Sequence, residues 1–299
     1  MTANRPEGHV PQVPAWTAVD LPERTVFSML FARGAGDEAV LAALLEVVRT
    51  GEHIPDHSER ARVVNAAEAT TVLLGYWTNP LRHERWRARP DVAAALAGPG
   101  VLAETATIPA DRWETLHSTE HVTPGVRNLL PAALTDVHEY WGAARDRIPA
   151  SAGSDLSAEP GEPLPGNLCL IRSGQIWEHC DEREREIYFG EVEPNLTAGI
   201  AFLDANRETG CLSARFLREQ TLDGEDLDST SFVGWFDELR SLEEWARSHP
   251  THLAIFDSFL AMVAKLEGRI GLRLWHEVAA IPTGGVTVCG SESSPLLSN

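Results

Sequence analysis

The stretch Ser231-Phe232-Val233-Gly234-Trp235-Phe236 repeats the character of an earlier stretch, Val72-Leu73-Leu74-Gly75-Tyr76-Trp77. Each is an apolar run of strand composition, followed by a polar turn and an amphipathic helix that ends near a proline. In both units a tryptophan follows the glycine by eleven residues, at Trp245 and at Trp86. This repetition predicts that the chain duplicates one α+β module.

Further strands and helices alternate along the chain. Runs of β-branched and aromatic residues predict strands at 25–31, 70–77, 167–172, 211–218, 231–236 and 272–281. Apolar residues at helical spacing predict helices at 37–50, 79–97, 131–145, 181–206, 241–248 and 250–266. This order lacks the regular βαβ rhythm of a parallel sheet. It favours an α+β fold of two tandem ferredoxin-like halves, each an antiparallel sheet with helices packed on one face.

A loop rich in Ser, Gly, Pro and acidic residues divides the predicted halves at 151–166. The N-terminal half then covers residues 1–150 and the C-terminal half residues 167–299. A chain of 299 residues is long enough to bury a substantial core.

The net charge of −19, with no basic run, argues against nucleic acid or an anionic membrane as a partner. The four cysteines form no CxxC pair and no zinc-like cluster, which predicts reduced thiols. The N-terminus has no apolar core of a signal peptide, and no apolar stretch approaches membrane-spanning length. We therefore expect a cytoplasmic protein.

Candidate chemistry begins at Ser248-His249-Pro250-Thr251-His252. Pro250 suits the first turn of a helix, and the spacing then places Phe256, Phe259 and Val263 on the stripe of His252. An imidazole facing aromatic side chains can hold haem iron from one side. The alternative is a core histidine bonded to a backbone carbonyl.

Two further segments carry residues with catalytic potential. Ser173 ends an apolar run beside Gly174, where it either presents its hydroxyl to a ligand or belongs to a simple turn. In the predicted strand at 272–281, alternation places His276 on the face of Leu272 and Leu274, the buried face if the leucines point inward. His276 is then either a proton donor in a pocket or a satisfied core residue.

Charged residues outside these segments give weaker local signals. Arg145 and Arg147 close a predicted helix and are most simply solvent-facing charges at its C-terminus. Glu114 lies between aromatic and polar neighbours, and its local sequence assigns it no role.

Several motifs, taken together and in this order, resemble the haem-containing aldoxime dehydratases over nearly the whole chain. They are Gly75-Tyr76-Trp77, Tyr140-Trp141-Gly142, Arg145-Asp146-Arg147, Ile171-Arg172-Ser173-Gly174-Gln175, Ser248-His249-Pro250-Thr251-His252 and Leu272-Arg273-Leu274-Trp275-His276-Glu277. The resemblance implies a dimeric α+β barrel type of fold, a homodimer, and dehydration of aldoximes to nitriles with the substrate nitrogen bound to ferrous haem b.

The resemblance also implies roles for individual residues. His252 matches the proximal ligand of the haem iron, and Phe259, with Phe256 on the same stripe, matches the lining of the haem pocket. Ser173 matches a distal serine that hydrogen-bonds the substrate hydroxyl, and His276 matches a distal proton donor. Arg147 and Glu114 match the pair that orients that histidine and tunes its protonation.

Some positions depart from the family pattern. Ala15, Ser118 and Ile176 replace other residue types at or near the pocket, and the tail from about residue 282 to residue 299 diverges. Two rival hypotheses remain beside the enzyme: a haem-binding sensor or carrier with little dehydratase activity, and a haem-free ferredoxin-like dimer. Only the enzyme needs all four distal residues together.

Overall fold

The computed structural model describes residues 4–34, 38–121 and 124–297, which form one mixed α+β structure around a twelve-stranded antiparallel sheet. The strands are β1 (Ala15–Ala18), β2 (Arg24–Arg33), β3 (His57–Val63), β4 (Thr70–Trp77), β5 (Val101–Pro109), β6 (Trp113–His117), β7 (Ala132–Thr135), β8 (Leu168–Ile176), β9 (Cys211–Gln220), β10 (Asp226–Phe236), β11 (Arg273–Ile281) and β12 (Val286–Gly290). The α-helices are α1 (Glu38–Arg49), α2 (Pro80–Arg87), α3 (Pro90–Leu96), α4 (Ala143–Arg147), α5 (Glu182–Ile187), α6 (Glu193–Ala205), α7 (Leu239–Ser248) and α8 (Pro250–Lys265).

The strand order runs β12-β5-β2-β4-β3-β9-β10-β8-β11-β6-β1-β7. Numbered along the chain within each half, the order is 4-1-3-2 for β5-β2-β4-β3 and 2-3-1-4 for β9-β10-β8-β11. The antiparallel pair β3–β9 joins the two sets into one continuous sheet. The two sets of four strands thus have matching strand orders, arranged about that central pair.

The sequence repeat occupies corresponding places in these halves. Gly75 lies in β4 and Gly234 in β10, the third strand of each set. A side chain at either glycine would collide with an aromatic ring of its own strand, since a Cβ on Gly75 would lie 2.9 Å from the Trp77 ring. Trp86 and Trp245 are both buried under the sheet, in α2 and α7.

One face of the sheet forms a shared interior and the other carries helices. Apolar residues of β2, β4, β5, β8, β10 and β11 pack together in a single core, so the sheet curls until its two halves meet. On the outer face, α1, α2 and α3 cover the first half, whereas α6, α7 and α8 are associated with the second.

The helix predicted at 131–145 is wrong. Residues 132–135 form β7, which pairs with β1, and helical structure begins only at α4, after Gly142 with φ +93°. The apolar run Ala132-Ala133-Leu134 is as compatible with an edge strand as with a helix, and its pairing to a distant strand decides the outcome.

Other predicted elements are close to the observed ones but differ at interruptions. The helix predicted at 79–97 divides into α2 and α3 at Pro90, and the one at 181–206 divides at a π-helical turn (Tyr188–Val192) before Pro194. The strand predicted to end at residue 172 continues to Ile176. Sequence analysis missed β1, β3, β5, β6 and β12; Asp37, the first residue of the helix predicted at 37–50, lies outside the described residues.

A buried ionic cluster joins residues of both strand sets on the interior face of the sheet. Arg172 is fully buried and pairs with Glu59 (2.5 Å) and Glu219 (2.8 Å). The Tyr76 hydroxyl donates a hydrogen bond to Glu277 Oε1 at 2.5 Å. Burial would raise the pKa of Glu59, but Arg172 lowers it to about 2, whereas burial raises the pKa of Glu277 to about 7 against the pull of Arg172.

Glu277→Gln tests the cost of that buried carboxyl. The pKa of Glu277 is about 7 in the folded chain, against 4.5 in the unfolded chain. Between these two pH values the folded state therefore holds a proton that the unfolded state has released. Its contribution to stability is therefore complete below about pH 4.5 and lost as the pH rises through about 7. Glutamine cannot ionise, so the variant avoids this loss. As the pH rises from about 5 to about 8, the unfolding free energy of the variant should therefore increase by about 2–3 kcal/mol relative to that of the wild type, measured by urea unfolding.

The matched control is Glu244→Gln on the exposed side of α7. Its unfolding free energy should follow the wild-type curve at every pH. If the unfolding free energies of Glu277→Gln and wild type differed by the same amount at every pH, the raised pKa of Glu277 would be contradicted.

Candidate active site

The register of β8 and β11 brings the two candidate distal residues together. Ser173 lies directly opposite His276 in the antiparallel pair, so both side chains project from the same face. Because the strand alternates, Arg172 and Glu277 project from the other face, into the buried ionic cluster. Leu272 is buried just before β11, but within the strand Leu274 and His276 stay half-exposed while Trp275 and Glu277 are buried, so the face that carries His276 is not the buried one.

This placement also decides between the two local interpretations of Ser173. The serine is part of a regular strand and is paired on both sides, to Phe232 of β10 and to His276 of β11. The simple-turn interpretation, which the local sequence favoured, is therefore wrong.

His276 contacts a carboxylate and a guanidinium through the same ring nitrogen. Its Nε2 lies 3.1 Å from Glu114 Oε1 and 3.1 Å from Arg147 Nη2. Arg147 Nε in turn donates to Glu114 Oε2 at 2.7 Å. Glu114 comes from β6, the strand next to β11, and Arg147 comes from the last turn of α4. Three distant segments thus meet at one imidazole.

Charge within this group is fixed on the carboxylate. Burial would raise the pKa of Glu114, but the Arg147 guanidinium and the His276 ring lower it to about 2. Glu114 is therefore ionised at neutral pH, with its two oxygens directed at Arg147 and at His276. With Nε2 directed at this pair, Nδ1 is the ring nitrogen left for a ligand on the half-exposed side.

His252 lies in the first turn of α8, as the sequence predicts. The ring of Trp245 meets it edge-on at 4.8 Å between centroids, and Trp141 meets it at 6.4 Å. Its Nδ1 is buried without a hydrogen bond of ordinary geometry to the described residues. Burial lowers the pKa of His252, partly offset by the backbone of Ala246, so the ring is neutral at neutral pH. A neutral imidazole has a nitrogen lone pair available for a metal.

The helix that carries His252 is apolar but poorly covered by the described chain. Met262 is the one fully buried residue among the sixteen of α8. Phe256 and Leu260, one and two turns after His252, are 44% and 46% exposed. Such a continuous apolar stripe is unusual on a free surface and is typical of a binding site.

Partly exposed apolar residues of α8 and of the β8–β11 face pack against the same two apolar clusters. Phe259 of α8 and Leu274 of β11 both pack against the cluster around Trp177 and Met262. Ile255 of α8 and Ile171 of β8 both pack against a second cluster, around Phe232. These two clusters bring α8, which carries His252, together with the strands that carry Ser173 and His276.

These features fit a flat, largely apolar group with a metal at its centre. The helix α8 offers one neutral imidazole with aromatic and aliphatic side chains along the same helix, and the β8–β11 face offers the polar pair Ser173 and His276. No group of three His, Cys, Asp or Glu side chains within residues 4–34, 38–121 and 124–297 could hold a bare metal ion. A single histidine in an apolar cleft is instead the donor set of a haem protein.

Comparison with known proteins identifies the kind of haem protein. The family model of the haem-containing dehydratases matches residues 32–288. A phenylacetaldoxime dehydratase of Bacillus sp. (strain OxB-1) is 38% identical over 93% of this chain and 88% of that protein. An aliphatic aldoxime dehydratase of Rhodococcus globerulus is 32% identical over 93% of this chain and 88% of its own length. The chain belongs to the haem-containing dehydratase family.

Solved structures agree with this membership. The crystal structure of an aldoxime dehydratase in complex with butyraldoxime matches with a TM-score of 0.87 and 27% identity, over 99% of this chain and 92% of that chain. A second aldoxime dehydratase structure matches with a TM-score of 0.86 and 29% identity, over 99% and 94%. In the described part of this chain, no helix is long and apolar enough to cross a membrane.

Sequence reasoning assigned no role to several residues around the site. Trp141 and Trp245 contact His252, but the sequence around a tryptophan does not indicate which residue it contacts in the fold. Ser118, which departs from the family pattern, accepts a hydrogen bond from the Leu274 backbone at 2.9 Å and so fixes the strand beside His276. Ala15 is buried in β1, and Ile176 closes β8 half-buried.

The arginines of α4 are not the solvent-facing charges that local sequence favoured. The side chains of Arg145 and Arg147 are 15% and 5% exposed, and each is paired with a carboxylate. The divergent tail also belongs to the fold through residue 297: β12 pairs with β5, and Ser294 Oγ donates to Glu104 at 2.6 Å.

His252→Gly should abolish stable haem binding, because it removes the imidazole at the centre of the α8 stripe. Haem bound per chain and the Soret absorption band report the loss, and added imidazole should restore both by entering the vacated space. His249→Asn is the control: His249 caps α8 and stacks on Phe202, so a capping asparagine there should leave haem binding intact. Unchanged haem content and spectrum in His252→Gly would exclude His252 as the ligand.

Proposed function

We propose that this chain dehydrates aldoximes to nitriles, R–CH=N–OH to R–CN and water, at the cleft between α8 and the β8–β11 face. The observation that carries the proposal is the Glu114–Arg147–His276 group beside Ser173, in a chain that also carries the neutral imidazole of His252 on an apolar helix. Family membership and the aldoxime dehydratases among the relatives supply the reaction.

Haem b is the cofactor, and in its ferrous form it would supply a site for the oxime nitrogen and electron density for breaking the N–O bond. His252 would hold the iron through its imidazole. The neutral state of its ring, favoured by burial, suits this role because only a neutral imidazole nitrogen can bind a metal. Phe256 and Phe259 provide apolar contact along the same helix.

The leaving hydroxyl must depart as water, because hydroxide is a poor leaving group. Ser173 would orient this hydroxyl by a hydrogen bond, and His276 would donate a proton to its oxygen as the N–O bond breaks. The proton of the C–H bond, lost as the C≡N bond forms, would return to His276 and regenerate the acid. Glu114 stabilises the protonated ring through Nε2, and Arg147 fixes Glu114 in place. A carboxylate behind an imidazole acts in the same way in hydrolase triads, where it orients the ring and stabilises its charged form.

The architecture of this proposed enzyme has two further parts. The matching strand orders 4-1-3-2 and 2-3-1-4 support two tandem ferredoxin-like halves, of the dimeric α+β barrel type, with residues 151–166 between them. A homodimer is the assembly we expect from the family resemblance. Four free thiols, three of them buried, agree with a cytoplasmic setting.

A haem-binding sensor or carrier is the alternative function. Such a protein needs His252 and the apolar cleft but has no use for a buried Glu114–Arg147 pair aimed at a half-exposed histidine. Burying an ion pair costs desolvation free energy. A buried pair directed at His276 is therefore better explained by a catalytic role than by haem binding alone, which favours the enzyme.

The first experiment is an anaerobic absorption spectrum of the reduced, haem-loaded protein before and after addition of butyraldoxime, with nitrile measured by gas chromatography. We expect the Soret band to shift on addition and to return as nitrile forms. A haem spectrum that ignores aldoximes, with no nitrile, would favour the sensor.

His276→Ala separates binding from proton transfer. The variant should keep haem and still shift its Soret band with the oxime, while kcat falls by about 10²–10⁴-fold, the usual contribution of a general acid. Ser173→Ala should lower kcat less, because it removes orientation and leaves the acid in place. Near-normal turnover in a haem-replete His276→Ala protein would contradict the proton-donor role.

A further inference from the structure

The short helix α4 carries three consecutive charged side chains, and each contacts a different part of the molecule. Arg147 reaches the distal group, Glu114 and His276. Asp146 accepts hydrogen bonds from Asn4 and from the Tyr140 hydroxyl, at 2.9 Å. Arg145 points to α7. Since residues i and i+2 lie on opposite sides of a helix, Arg145 and Arg147 extend in opposite directions from the same turn.

The pair formed by Arg145 and Glu243 is a two-pronged ionic contact between α4 and α7. Arg145 Nε donates to Glu243 Oε1 at 3.0 Å and Nη2 donates to Oε2 at 2.6 Å. Both side chains are largely buried, 15% and 26% exposed. A planar guanidinium bound to both carboxylate oxygens fixes direction as well as distance.

Beyond Glu243, α7 leads directly to the proximal histidine. Trp245 packs its ring edge-on against His252 and donates from Nε1 to Thr251 Oγ1 at 3.1 Å. Trp141, two residues before α4, contacts both His252 and Phe256, at 6.4 and 6.1 Å between ring centroids. One short segment therefore contacts both walls of the cleft.

We propose that Arg145 and Glu243 are positioning residues which couple the orientation of His252 to that of His276 through α4. The inference rests on the proposed haem function, because it concerns the two histidines between which haem would lie. If α4 is held to α7, then Arg147, two residues from Arg145, is held at Glu114, and Trp245 is held at His252 in the same rigid unit. Loosening the contact with α7 should then disturb both histidines together.

A purely structural contact would behave differently. Losing it would lower the unfolding temperature and leave the two histidines as they were, because β6, β11 and α8 each have other supports. The discriminating readouts are therefore spectroscopic and kinetic, with stability measured alongside them.

Glu243→Gln is the test variant, since it keeps the shape and removes the charge that draws Arg145. Two readouts are made on haem-loaded protein: the iron–histidine stretching band of the reduced form by resonance Raman, and the pH profile of aldoxime turnover. We expect the band to shift and the acid limb of the profile to move by about one pH unit, with kcat lower by about tenfold and KM changed less. Arg145→Gln should have the same effects, and the double variant should be no worse than either single one.

Glu244→Gln is the matched control, because it makes the same charge change one residue along α7, on an exposed side chain. It should leave the stretching band and the pH profile unchanged. Arg147→Lys gives the reciprocal test: a change on the distal side should also shift the iron–histidine band.

A Glu243→Gln protein with wild-type band and wild-type pH profile would overturn the inference, whatever its unfolding temperature. Failure of the proposed function has a different signature. A wild-type protein that binds haem and makes no nitrile would contradict the dehydratase activity, and the Raman band would still decide the coupling.

Discussion

The antiparallel register of β8 and β11 is the constraint on which the site depends. One register places Ser173 opposite His276 on the cleft face and Arg172 opposite Glu277 in the interior. A slip of one residue in either strand would turn an ionisable side chain into the cleft and a catalytic one into the core. Arg172 opposes such a slip, because its guanidinium is paired with Glu59 and Glu219 and lies over the Trp275 ring at 5.0 Å, contacts that a slip would break. The buried charges thus specify where the active residues lie.

The two four-strand sets have matching strand orders but differ in how completely their outer faces are covered. In the first half, the outer face of the sheet is filled by the fully buried rings of Trp77 and Trp86 and by α3, which has seven residues. In the second half the corresponding helix, α8, has sixteen residues, and most of them are only partly covered. Length and incomplete burial leave room for a ligand, whereas the first half reaches close packing with its own side chains.

Apolar pattern predicts the fold well where a strand or helix carries its own signal. The strand at 70–77 and the helices around Trp245 and His252 are of this kind, since composition, capping and proline all agree. The polar strand His57–Val63 has no such signal and is formed by its partners, β4 and β9. For the same reason Arg147 looks solvent-facing in sequence, because Glu114 lies 33 residues away along the chain. The predicted roles of the site residues therefore rest on the resemblance to a family, because a family pattern includes residues that are distant in sequence and close in space.

Two fully buried glutamates, Glu114 and Glu277, differ in pKa because of how many carboxylates share each cation. Glu114 has Arg147 to itself and the His276 ring beside it, so its pKa falls to about 2 despite burial. Glu277 shares Arg172 with Glu59 and Glu219, and one guanidinium cannot keep three buried carboxylates ionised, so burial raises the pKa of Glu277 to about 7. Glu277 can therefore hold a proton in the interior near neutral pH, whereas Glu114, beside His276, stays ionised.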